Sequence, residues 1–115
     1  MKCLENLIAL NSKVTVYVPS TVDVDKAIDN KAQVEKVARC LSDSFGGATA
    51  SPVQGYWVAS NGDLVVENTT MVFAYCTTDG ATEHMPKIIQ LCRELKRDMS
   101  QEAIAMEYNG QMYFI

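Results

Sequence analysis

The spacing of apolar positions changes period twice in the first half of the chain. From Lys13 to Val18 it alternates, so Val14, Val16 and Val18 share one face while Thr15 and Tyr17 share the other. A period of two predicts a half-buried strand, which Pro19 stops. From Asn30 onward the spacing lengthens: Val34, Val37, Ala38, Leu41 and Phe45 recur at helical intervals, and Lys31, Glu35, Lys36, Arg39 and Asp43 fall on the solvent side. Asn30 is placed to cap this helix with Gln33 in the capping-box position, and Gly46 supplies a left-handed stop. The polar connector Ser20–Asp29 carries Asp23, Asp25 and Asp29. An EF-hand is excluded, because no acid-led register there has glycine at its sixth position and glutamate at its twelfth.

The second half repeats the alternation. Ala48–Ala59 and Leu64 to about Cys76 read as two strands joined at Ser60-Asn61-Gly62-Asp63, where Asn-Gly predicts a type I′ turn. Pro52 or Gly55 on the first arm, and Glu67-Asn68 on the second, are expected to mark bulges. Asp79-Gly80 is expected to close the second arm. A second helix is expected from Thr82 or Met85, with Pro86 in its first turn and Ile88, Cys92, Leu95 and Met99 as its apolar stripe. Glu102–Tyr108 and Gln111–Ile115 flank a further Asn109-Gly110 turn and predict a short terminal hairpin. The order β-α-β-β-α-β plus a short C-terminal strand predicts an α+β, ferredoxin-like split βαβ domain, an antiparallel sheet with two helices on one face. The length of 115 residues suits a single domain over 1–115. Residues 1–12 have no assigned element, although Leu4, Leu7 and Ile8 also fit a helical turn.

Composition narrows the chemistry more than it selects it. Met1-Lys2-Cys3-Leu4 followed by the four apolar residues Leu7–Leu10 is too short for a signal region or a membrane span, which predicts a cytoplasmic chain with no membrane partner. Cys3, Cys40, Cys76 and Cys92 are widely spaced and accompanied by one histidine, which argues against a metal site, and Cys40, Cys76 and Cys92, each within an apolar periodic pattern, are expected to be buried free thiols. A formal charge of −4, from 14 acidic and 10 basic residues, argues against nucleic acid as a direct partner and for a basic protein surface. His84, beside Glu83, is expected to be solvated in the first turn of its helix. Gly46-Gly47 follows a helix rather than opening one, which is the wrong order for a phosphate loop. No catalytic, cofactor or metal residues are assigned.

Aromatic residues stand above this background. A ferredoxin-like sheet leaves one face uncovered by its own helices, and Tyr17, Phe73, Tyr75 and either Tyr56 or Trp57 are expected to gather there. RNA-recognition domains stack bases on such a face, but Met71-Val-Phe-Ala-Tyr75 lacks their basic and glycine elements. Thr15-Val-Tyr-Val-Pro-Ser20, Phe45-Gly-Gly-Ala-Thr-Ala50, Gly55-Tyr-Trp-Val58, Glu67-Asn-Thr-Thr70 and Gln101-Glu-Ala103 together resemble a family of small uncharacterised proteins carried by bacterial phages, plasmids and integrative elements. That resemblance implies a non-enzymatic protein-binding module of mobile-element origin, an inhibitor of a bacterial defence system of anti-CRISPR or anti-restriction type. Its partner would be a host nuclease or defence protein, and the contact residues expected from the open aromatic face and the acidic connector are Tyr17, Asp23, Asp25, Tyr56, Trp57, Phe73 and Tyr75. The alternative is a small-molecule-binding or enzymatic homodimer of dimeric α+β barrel type, with Trp57, Tyr75 or His84 on the ligand. A structural homodimer without a ligand is the third reading.

Overall fold

The computed structural model describes residues 1–22 and 26–115. Its elements are a 3-10 turn (Lys2–Leu4), β1 (Ser12–Pro19), β2 (Thr21–Val22), β3 (Lys26–Ala27), α1 (Lys31–Phe45), β4 (Thr49–Val58), β5 (Leu64–Cys76), α2 (Thr78–Asp98), β6 (Ala105–Tyr108) and β7 (Gln111–Phe114). Five strands form one antiparallel sheet in the order β4-β5-β1-β6-β7, and both helices cover the same face. This is the ferredoxin-like α+β arrangement that the periodicity predicts. The connector after β1 is not wholly irregular: β2 and β3 pair as a two-stranded ribbon.

The alternation in β1 sorts the sheet. Val14, Val16 and Val18 are fully buried under the helices, and their ladder partners on β5 and β6 (Ala74, Val72, Tyr108 and Met106) face the same way. From above, α1 contributes Val37 and Leu41, α2 contributes Ala81, Ile88, Leu91, Cys92 and Leu95, and the connector after α2 adds Met99 and Ile104. Lys13, Thr15 and Tyr17 point to the open face.

The helix ends depart from expectation in instructive ways. Asn30 occupies the N-cap position of α1, yet its side chain caps nothing. Its amide instead lies within hydrogen-bond distance of Val18 O, Pro19 O and Thr70 Oγ1, tying the helix start to the sheet. Asp29 Oδ1 accepts from Lys31 N in its place, and Gln33 Oε1 is buried without a partner. Gly46 ends the helix in the left-handed region at φ 89°. Helix α2 begins at Thr78, more than a turn before the expected start, because the Thr77 hydroxyl accepts from Gly80 N at 3.0 Å and Asp79 sits at the positive end of the helix dipole. Asp79-Gly80 is therefore the first turn of a helix rather than the close of a hairpin, and Pro86 lies inside the helix.

The central hairpin also corrects two expectations. Its ladder runs without slip from Thr49↔Phe73 to Val58↔Leu64, so neither Pro52, Gly55 nor Glu67-Asn68 makes a bulge. Proline is tolerated because β4 is an edge strand, where an absent N–H removes no ladder bond on the open side. The turn is not type I′: only Gly62 has positive φ, while Ala59 O accepts from Gly62 N and Ala59 N donates to Asp63 O. That is the three-residue loop closed by a left-handed glycine. The second Asn-Gly pair, Asn109 at φ 50° and Gly110 at φ 83°, does have the type I′ signs.

Candidate functional site: the open sheet face

The β4–β5 hairpin outruns its neighbour. Strand β1 covers β5 only from Thr69 to Cys76, so Leu64–Asn68 and the paired Gln54–Val58 overhang. The overhang helps give the molecule extents of 53 × 28 × 21 Å. On its helix-side face Tyr56, Val58, Leu64 and Val66 are exposed, and Trp57 is exposed on the opposite side. A compact monomer of 12.7 kDa should expose about 6,200 Å². This chain exposes 7497 Å², an excess that fits surface meant to be covered by another molecule.

Because the register is unbroken, parity decides which side chains meet. Tyr17, Phe73, Tyr75 and Trp57 share the open face, whereas Tyr56, one residue from Trp57, is on the other. Asp23 and Asp25 lie outside the described residues. The aromatics form two patches rather than one. At one end, Phe73 and Tyr75 meet edge to face at 6.0 Å, and Lys13 Nζ sits 4.4 Å from the Phe73 ring centroid, a cation–π contact. At the other end, over the end of β1, a cleft of ≈ 280 Å³ is lined by Tyr17, Gly55, Glu67, Asn68, Thr69 and Gln101 together with apolar residues that include Met112.

The cleft is held by short polar contacts. Trp57 Nε1 donates to Glu67 Oε1 at 3.1 Å, diagonally across the β4–β5 ladder. Gly55 stands directly opposite Glu67 and brings no side chain over the carboxylate. Thr69 Oγ1 donates to Val18 O at 2.7 Å, and Gln101 Nε2 donates to Thr21 O at 2.8 Å, pinning the cleft's rim. The Tyr17 phenol is pushed above its ordinary range, first by burial and then by the charge and hydrogen bond of Glu107 on β6. It is a neutral donor throughout the physiological range, flanked by the carboxylates of Glu67 and Glu107.

Glu67, Gln101 and Glu107 were not assigned from the sequence as site residues. A signal for two of them was there, since four of the five segments carrying the family resemblance send residues into this cleft: Tyr17, Gly55, Glu67 to Thr69, and Gln101 with Ala103. The fifth, Phe45–Ala50, ends α1 and enters β4. His84 is not part of it: the ring packs edge-on against Phe45 at 5.6 Å, with Nε2 3.7 Å from Glu83 Oε2. Its side chain is 26% exposed, so it is a helix-to-helix contact rather than a solvated group. All four cysteines are free: Cys76 and Cys92 are buried as expected, Cys40 is only half-buried, and Cys3 is exposed. Among the described residues no cluster suited to a metal ion occurs, and no helix is long and apolar enough to cross a membrane.

No family model and no curated protein matches the chain. Solved structures do. A phage SAM lyase in complex with S-methyl-5′-thioadenosine is 18% identical, with 95% of this chain and 94% of that chain covered and a TM-score of 0.66. The apo state of a phage SAM lyase is 21% identical over 96% and 93%, with a TM-score of 0.67. The divalent ion tolerance protein CutA1 from Ehrlichia chaffeensis is 11% identical over 88% and 81%, with a TM-score of 0.55. The chain thus shares its fold with a phage enzyme and with CutA proteins.

Proposed function

We propose that this protein binds S-adenosylmethionine in the open-face cleft and cleaves it with release of methylthioadenosine, acting as an assembly of copies. The observation that carries the reading is the cleft itself, with Glu67 oriented by the Trp57 indole and Tyr17 held neutral beside it, in a chain whose fold matches a phage SAM lyase along nearly its whole length. The chemistry is compatible. The substrate is a sulfonium cation joined to a purine, and the cleft offers the Glu67 carboxylate and the Tyr17 ring for the first and hydrogen-bond donors and acceptors for the second. Cleavage without water needs no metal or redox partner: the Cγ–S bond breaks with its electron pair going to sulfur, which loses its charge. The carbon fragment is completed either by loss of a proton from Cβ to a carboxylate or by closure of the substrate's own carboxylate on Cγ.

Removing the methyl donor would deny it to host enzymes that require it, which agrees with a mobile-element protein of anti-restriction type. A cleft of ≈ 280 Å³ in one chain is small for this ligand. The excess surface supplies what further copies would cover: exposed Trp57 on the cleft's own face, where a copy would enclose the ligand, and Tyr56, Val58, Leu64 and Val66 on the reverse of the overhang. The same exposed overhang is the specific observation favouring the second reading, a non-enzymatic module that docks on a host defence protein.

The test is direct. Purified protein is incubated with S-adenosylmethionine and the products are identified by mass spectrometry. Methylthioadenosine is expected, and the partner fragment, an unsaturated amino acid or a lactone, reports which carbon route operates. No turnover together with no thermal shift by either compound would sink the lyase reading and leave the docking module.

A further inference from the structure

On the opposite side of the sheet, away from the cleft, a groove of ≈ 980 Å³ runs between α2 and the β6–β7 hairpin. Its walls are apolar, built from Met85 and Ile89 on the helix and Tyr108 and Tyr113 on the hairpin, with Arg93 and Lys96 toward the far end. It follows α2 from Ala81 to Lys96, about 22 Å at the helical rise per residue. None of the elements packed on the core fills it.

The segment before β1 has the complementary defect. Leu4, Leu7, Ile8 and Leu10 are all exposed, Ile8 at 97%, and the order in the segment is local, a 3-10 turn and the bend after it in which Leu4 N, Glu5 N and Leu7 N donate to Met1 O, Lys2 O and Leu4 O. With Met1, five large apolar side chains in eleven residues stand exposed, a patch that calls for a cover. The segment starts at the groove's mouth: Asn11 Oδ1 accepts from Thr78 Oγ1 in the first turn of α2, and Asn109 Nδ2, next to Tyr108, reaches Ser12 Oγ. Extended, the eight residues Cys3–Leu10 span about 26 Å, which matches the groove. Within one chain the arm stands free although its own groove opens beside it, so the occupant left is the arm of a neighbouring copy.

We propose that the arm preceding β1 exchanges between copies and lies in the α2/β6–β7 groove of a neighbour, with the apolar residues of Leu4–Leu10 against Met85, Ile89 and Tyr113. Arm exchange joins copies by a contact separate from the open face, so it stands whether or not the cleft binds a ligand.

Cys3, exposed on the arm, provides the test. The full-length variants Thr82→Cys at the mouth and Lys96→Cys at the far end are oxidised and run without reductant, beside wild type as the control for Cys3–Cys3 pairing. A disulfide-linked dimer above the wild-type background is expected from at least one of them. Adding Ile8→Glu should reduce that product about tenfold or more, the effect of withdrawing one isoleucine side chain from an apolar site. Ile8 is too exposed for this change to unfold the chain, and Ile89→Glu, checked by circular dichroism, should act alike from the groove side. A monomeric, internally bridged product would overturn exchange in favour of the chain's own groove. Free thiols throughout, with no link from either site, would overturn the docking altogether.

Discussion

The two halves of the β4–β5 hairpin have the same backbone, the same unbroken ladder and similar residues, yet opposite surroundings. Near the helices, Val72, Ala74 and Cys76 are buried beneath α1 and α2, and Phe73 is partly covered on the other side. Beyond Thr69, the equally apolar Val66, Leu64, Val58 and Tyr56 touch one another across the ladder but stay about half exposed or more. Strand propensity makes both halves alike, because it requires only residues that suit a pleated, half-buried surface. Burial is decided by whether another element reaches that far, and β1 ends at Pro19. Apolar content in a strand thus reports a face that suits a cover, and at the overhang the proposed cover is another molecule.

The sharpest way to break this contrast is to truncate one leucine in each environment. Leu41→Ala removes a fully buried side chain of α1, and its chemical denaturation should show a loss of about 2–5 kcal/mol, the range for large-to-small core changes that leave a cavity. Leu64→Ala, at the exposed end of the hairpin, should change the stability of the separated chain by less than about 0.5 kcal/mol. It should, however, shift the oligomeric mass seen by light scattering toward the single chain. Equal losses in the two variants would mean that the overhang folds back on the core in solution.

The contrast extends to the cleft that the overhang borders. Glu67→Gln keeps the shape and the Trp57 contact but removes the charge facing a sulfonium. A charge-assisted contact contributes about 1.5–3 kcal/mol, so KM for S-adenosylmethionine should rise about 10- to 100-fold with kcat changed less. Because the sulfonium loses its charge in the reaction, a nearby carboxylate stabilises bound substrate more than transition state. A collapse of kcat at unchanged KM would instead assign Glu67 to proton abstraction.

Much of the scaffold was readable because the signals were local. Alternating valines in β1, the 3.6-residue stripe of α1 and the left-handed glycine after Phe45 each act within a few residues. What was missed depended on distance. Pro52 and Gly55 break a strand rule, but the rule applies to interior strands, and nothing local says that β4 is an edge. Thr77 capping Gly80 moved the start of α2, since a hydroxyl bond to one backbone N–H outweighs the turn preference of Asp-Gly. The cleft was hidden for the same reason: with bulges assumed, parity along the hairpin is lost, and Glu67 cannot be paired with Trp57. An unbroken register makes that pair follow from counting. The cap itself is testable, since Thr77→Ala should lower the melting stability by about 1 kcal/mol, and an unchanged melt would show that Asp79 and the core suffice.

The smallest effect separates the buried face from the open one by pH. Cys92 lies fully buried between the layers, and burial pushes its thiol up to about 12, whereas Tyr17 on the open face is raised by burial and by Glu107. Both groups are neutral when protonated and have a folded pKa above the unfolded one. The stability each contributes is therefore fully present below its unfolded value of about 9 or 10, and it is lost as pH rises through the folded value. Melting temperatures should hold from pH 7 to 9 and fall progressively above that. Glu107→Gln should bring the phenolate absorbance of Tyr17 in at lower pH, while leaving part of the shift in place because burial, the larger cause, is untouched. A Tyr17 titration identical in the variant would place Glu107 away from the phenol and leave burial as the cause of the shift.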